Sequence, residues 1–470
     1  MELKQYSAWY EAKDRWVMAV ARKRNTFDVF LLLPILAVCV DLFTPYLIWI
    51  GVLPAQLRWG SHAALAAMIL VSIFRMLGYN RIPLSFLAIA CISVFWSYIA
   101  IGHGQGLAST VWGVWLLFQF PFVYLFMVLQ PEPTKGLPEY LRLFCISILV
   151  IEVVFQIVQF VSGVVPGDDL SGLFGRNGTG NLVLFDLLVC CILFGDWIMT
   201  RKPFGLLAGL ALSLLSSVLG EMKLFPVAVP LIGLISVVIY AAKYRSPGKM
   251  FAYLSMIVVT LFVFASLYNM IVPEAGNSDA SLQSYITNPA KLMKYLNQAQ
   301  SYAKGEDVYT DIGRGFAVQL GWKSIQKDVL TFLFGYGVGT RSESQALGTA
   351  GLALTTDYLG MSVGTSLLVI MQEMGVVGLA LLAGFILWTI FALARDIRSD
   401  PGSSALGLRY ALIFFSILWP LWLWYAVTWT MRVPMLLYWF SLGYVFAESR
   451  LTRKKLTRSP AMKTFKWREA

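Results

Sequence analysis

Five basic residues carry the chemical interest of this chain: Arg176, Lys223, Arg314, Arg341 and Arg432. Each stands at the edge of an apolar run or in the long polar stretch between two of them. A guanidinium fork matches phosphate oxygens two at a time, and an ammonium adds a point charge. Gathered over a hydrophobic cleft, such groups suit a pyrophosphate carried on a lipid. Scattered, they would each snorkel to lipid head groups independently. Arg314 and Arg341 bracket the stretch Gly313–Arg341, where Phe316, Leu320, Ile325 and Leu330 fall near helical spacing before the turn Gly335-Tyr-Gly-Val-Gly339. That stretch either presents cations over a cleft or is an ordinary folded loop.

Carboxylates and amides complete the candidate chemistry. Glu221 lies two residues from Lys223 in a very short connection, which makes it the first choice for a base that accepts a hydroxyl proton; Glu152 is the second. Glu152, Gln156 and Gln159 recur at i, i+4 and i+7, so they share one helix face. That face is either a wall for sugar hydroxyls or a seam of interhelical hydrogen bonds. Asp168, Asp169, Arg176 and Asn177 lie in a glycine-rich connection whose backbone could approach a ligand closely. His103, a further candidate contact to substrate, and His62 are the only histidines. No spacing suggests zinc, and no glycine-rich strand–helix turn suggests a nucleotide, so no cofactor is expected.

The elements that position these groups are membrane helices. A mean hydropathy of +0.68 with 13% charged residues excludes an ordinary soluble protein. The fold class expected is all-α and polytopic, with about twelve transmembrane helices. They are read at 29–50, 61–77, 83–101, 107–129, 139–163, 180–199, 204–219, 224–242, 249–272, 364–394, 407–428 and 432–448. Residues 1–28 read as a basic interfacial segment, with Trp9 and Trp16 among lysines and arginines and no cleavable signal. Basic residues mark every second connection, including Arg81, Lys135, Arg201 and Arg395, and crowd the tail 449–470. The positive-inside rule then puts both termini in the cytoplasm and the five cations on the opposite side. The net charge of +11 follows from this topology and points to the bilayer, not to nucleic acid. The five cysteines lie in apolar runs, where burial is expected. One outside connection, 273–363, is long and partly helical, with short helices expected around Lys291 and Lys294.

Together these pieces resemble the O-antigen ligase and Wzy-type polysaccharide polymerase superfamily. The resemblance rests on an ordered set of motifs over roughly 150–395. They are Gly172-Leu-Phe-Gly-Arg176-Asn177 before a span, then Ser213, Ser216 and Ser217 followed by Glu221 and Lys223. Arg314, Trp322 and the glycine turn ending at Gly339 come next, then Gln372-Glu373-x-Gly375-x-x-Gly378.

The resemblance implies a glycosyltransferase that works without nucleotide or metal, moving a glycan from an undecaprenyl-pyrophosphate carrier to an acceptor hydroxyl. Arg314 would be the loop arginine, with Arg176 and Lys223 as bundle-side basic residues. The partners implied are the carrier-linked oligosaccharide, the bilayer, and flippase and chain-length regulator proteins, in a bacterial inner membrane. Ligases of this superfamily place a histidine after the glycine turn. The segment Thr340–Gly364 has none, only residues such as Ser342, Glu343, Thr355 and Asp357. This favours the polymerase over the ligase. A flippase or transporter, and a scaffold without activity, are the other readings. No half-to-half repeat supports a transporter.

Overall fold

The computed structural model describes residues 31–79, 82–130, 134, 136–244, 247–271, 288–296, 313–344, 348–352 and 364–458. The expected helix in 1–28, and Tyr285, Tyr302, Thr355 and Asp357, lie outside these residues. Among the described residues the fold is all-α apart from one short hairpin, Glu343–Ser344 paired with Thr349–Ala350.

A helix underlies each apolar run, because in lipid every backbone N–H and C=O must be satisfied within its own segment. They are α1 (Leu32–Trp49), α2 (Trp59–Tyr79), α3 (Leu84–Gly102), α4 (Leu107–Val128), α5 (Leu137–Val161), α6 (Thr179–Thr200), α7 (Pro203–Leu219), α8 (Phe225–Tyr244) and α9 (Pro247–Ile271). Three short helices follow: α10 (Pro289–Leu296), α11 (Arg314–Ile325) and α12 (Val329–Phe334). The chain returns as α13 (Ser366–Ser399), the pair α14 (Leu406–Ile417) and α15 (Trp419–Tyr425), and α16 (Arg432–Arg458). Eight helices among the described residues are long and apolar enough to cross a membrane, or nine if α14 and α15, bent by 46°, count as one span. The protein is therefore a polytopic α-helical membrane protein.

α6 is the central helix, with 89% of its apolar window buried. Small residues let neighbours approach its backbone: a Cβ on Gly195 would stand 2.2 Å from Gly407 O in α14. Cys145, Cys190 and Cys191 are buried as expected, but Cys91 is exposed on α3 and Cys39 only partly buried. Both lie on outer helices, whose lipid-facing sides need apolar character, not burial.

The central stretch differs from the expectation of water-facing structure. Its helical pattern breaks after Ile325; Asp328 caps a second helix through Thr331 N–H at 2.8 Å, leaving Leu330 exposed. The glycine turn then enters the bundle. α13 is kinked at Gly375 (φ 63°), which removes helical partners from the carbonyls of the preceding turn. Those carbonyls are capped from outside: Tyr336 N–H donates to Gln372 O at 2.7 Å and Gly337 N–H to Glu373 O at 3.0 Å. The two glycine motifs thus form a single joint.

Candidate functional site

The loop 162–178 and the turn 219–223 meet at one corner of the bundle, where Gly167 N–H donates to Leu219 O at 3.3 Å. Glu221 adopts a left-handed backbone (φ 52°) that turns the chain sharply. Its Oε1 accepts from the Tyr268 hydroxyl at 2.9 Å and lies 3.1 Å from Lys223 Nζ. The expected Glu221–Lys223 neighbourhood is present. On the adjoining loop Arg176 pairs with Asp169 at 3.2 Å, Thr179 bonds Asp168, and Asn177 is exposed with φ 59°.

A small apolar groove, partly open to its surroundings, lies beside this corner, between α6, α7, α8 and α9. Phe225, two residues after Lys223, and Phe264, one turn before Tyr268, line its wall with Leu214 and Val229. The rings of Phe264 and Tyr268 stack at 5.8 Å. A partly exposed ammonium, a carboxylate and a phenol therefore sit next to the residues that line this apolar groove. That arrangement can hold an anionic head group with its tail in the groove and a proton acceptor beside it.

The polar stripe of α5 makes hydrogen bonds within the protein. Gln159 exchanges two hydrogen bonds with the backbone of Gly172, at 2.9 and 3.1 Å. Gln156 Nε2 donates to Leu170 O and to Ser216 O, and Glu152 Oε2 accepts from Leu173 N–H at 2.9 Å. The stripe thus docks the re-entrant turn Leu170–Gly175, all of it buried, into the bundle. Gly172 makes the approach possible, since a Cβ there would lie 2.0 Å from Glu152 Oε1. Buried among these groups, Glu152 cannot meet an acceptor hydroxyl at the corner, so its place as second-choice base is withdrawn.

The five cations do not form one cluster. Arg341 is fully buried; its Nη1 donates to Gln372 Oε1 at 3.0 Å, and its backbone N–H to Glu373 Oε1 at 2.9 Å. It belongs to the joint at the α13 kink. Arg432 opens α16 and is held by Asp41 at 2.9 Å, by His62 and by Ser61. Trp115 Nε1 donates to His62 Nδ1 at 2.9 Å, which locks that ring in turn. These two arginines are structural, because a diphosphate would have to displace buried partners to reach them. Arg314 begins α11, donates to Tyr425 O at 2.9 Å and lies 4.1 Å over the Tyr425 ring. It is half-buried against the end of α15. His103 ends α3 and packs edge-on to Tyr336 of the glycine turn.

Three residues were missed by sequence reasoning. Asp186, fully buried, and Asp41, partly buried, are acids inside apolar runs, a signal visible in the sequence. Tyr268 at the end of α9 carries no such signal. Among the described residues, no group of three or more His, Cys, Asp or Glu could hold a metal. The chain matches no protein-family model and no curated protein.

Proposed function

We propose that this chain is a polysaccharide polymerase, joining repeat units carried on undecaprenyl pyrophosphate at the outer face of a bacterial inner membrane. The twelve-span topology with both termini cytoplasmic belongs to this reading. The observation that carries it is the Lys223–Glu221–Tyr268 corner at the end of the apolar groove. The ordered motifs that resemble those of the O-antigen ligase and Wzy-type superfamily support it, and the lack of a histidine after the glycine turn favours polymerase over ligase.

In this mechanism the polyprenyl chain lies in the groove and its pyrophosphate meets Lys223 and Arg176. Arg314 closes over the head group from the long loop. The acceptor hydroxyl oxygen attacks the anomeric carbon, and the carbon–oxygen bond to the pyrophosphate breaks with inversion. The leaving group takes the electron pair and is stabilised by the cations. Glu221 accepts the hydroxyl proton once the diphosphate has drawn Lys223 away from it. A leaving group already activated leaves the protein mainly to orient two substrates.

The test is chain growth from purified carrier-linked repeat units by the purified full-length protein. Polymer should form with the wild type and be lost in Arg314→Ala and Lys223→Ala at unchanged membrane levels. Transport of unaltered units across vesicles, with no polymer, would replace the reading by a flippase.

A further inference from the structure

Behind the docked turn lies a second polar site that the glycosyl-transfer reading does not use. Asp186 of α6 is fully buried, and neither of its carboxyl oxygens has a hydrogen bond of ordinary geometry within the protein. The Ser216 side chain lies against it, and the Glu152 carboxylate is close enough to repel it. Glu152 Oε1 has no protein partner either. Gln156 is anchored through its amide nitrogen to Ser216 O and Leu170 O, which leaves its Oε1 as a buried acceptor with no donor. The hydroxyls of Ser213, Ser216 and Ser217, three fully buried serines on one face of α7, are in the same condition. Buried carboxyl, amide and hydroxyl oxygens of α5, α6 and α7 are thus left without ordinary protein hydrogen bonds in one region of the bundle.

Every potential ligand here is oxygen, which selects a hard cation over a soft one. The serines occupy the last two turns of α7, and the partial negative charge of a helix C-terminus favours a cation there. Two carboxylates in lipid-embedded protein would be costly without positive charge. Mg²⁺ keeps several waters and Ca²⁺ takes 6–8 oxygens, commonly from several carboxylates; a compact, fully buried set rich in hydroxyl and amide oxygen suits neither.

We infer that Glu152, Asp186, Gln156 and Ser216 form a buried site for one dehydrated Na⁺, which ties α5, α6 and α7 together. Glu152 also holds Leu173, so the ion would set the position of the turn that leads to Arg176. Sodium would then be a structural requirement of the active corner, not a reactant.

The experiment measures sodium binding to purified full-length protein in detergent. Equilibrium dialysis with radioactive sodium, at ionic strength held by choline chloride, should retain one ion per chain. Asp186→Asn and Gln156→Leu should abolish retention. The wild type should melt several degrees higher in NaCl than in KCl or choline chloride, with the Na⁺-specific increment lost in Asp186→Asn. Failure of the wild type to retain sodium, or undiminished retention in a folded Asp186→Asn protein, overturns the site. A rise in Tm with CaCl₂ or MgCl₂ in place of NaCl overturns the monovalent assignment. Binding is read without any glycan, so these outcomes stand apart from the success or failure of the polymerase reading.

Discussion

Arg341 and Glu373 are joined through the backbone: the arginine N–H donates to Glu373 Oε1 at 2.9 Å, and Gly339 N–H donates to the same oxygen at 3.2 Å. One carboxylate therefore gathers the end of the glycine turn, while the arginine side chain reaches back to Gln372. The turn and the α13 kink hold each other, and the basic residue between them is internal.

Arg341→Ala should therefore behave as a stability mutation. Removing the buried guanidinium takes its donor away from Gln372 Oε1, a loss of about 1–3 kcal/mol, and opens a cavity that adds to it. Thermal unfolding in detergent and membrane yield should both collapse. Arg314→Ala loses one hydrogen bond to Tyr425 O and the contact with its ring, and should cost about 1–2 kcal/mol, less than Arg341→Ala. Equal loss of yield in both variants would return Arg314 to a structural role.

Gly337 lies against α3 with φ 92°, and a Cβ there would stand 2.1 Å from Ala100 N. Gly337→Ala should destabilise by about 1–3 kcal/mol through overpacking and backbone strain. Gly205, inside α7 with nothing within 4 Å of its Cβ position, is the control. Gly205→Ala should stabilise by about 0.5–1 kcal/mol. Paired melting curves decide whether the turn is as tightly inserted as its contacts indicate.

Lys223→Ala should lower chain growth by about 100-fold, the scale seen when one donor to a developing anion is removed. The loss should fall mainly on kcat, since the leaving group gains charge as the bond breaks. Tyr268→Phe removes one donor to Glu221 and should lower the rate by about 10-fold or less. Steady-state kinetics on purified carrier-linked units separate the two. A purely KM effect in Lys223→Ala would make it a binding residue only.

Asp328 gives the long loop a dependence on acidity. Hydrogen bonds from the Thr331 backbone, then the Thr331 hydroxyl, hold its carboxyl below the usual carboxylate range. A lowered folded value means the cap is fully effective above the ordinary carboxylate pKa and is lost as pH falls through the folded one. Amide exchange over Val329–Phe334 should accelerate as pH drops below that point, after correction for intrinsic rates. Asp328→Ala should show the fast exchange at every pH.

Much of the architecture was legible before any coordinates. Each apolar run became a helix, and each helix begins within about three residues of its expected start, because lipid forces backbone groups to pair locally. Glu221 beside Lys223 was legible for the same reason, since a four-residue connection leaves little freedom. The Glu152–Gln156–Gln159 periodicity identified a shared face, but periodicity does not say whether a ligand or a loop of the same chain meets it.

The class of protein and its helical segments can be read from residue order alone, because these follow from local hydrogen bonding and hydropathy. The partner of each cation depends on how distant helices pack. Arg432 finds Asp41 across 391 residues and Arg341 finds Gln372 across 31, while Lys223 pairs with its near neighbour Glu221. A charged side chain takes its role from whichever partner packing brings within about 4 Å, and that distance is set by how helices far apart in the chain pack together.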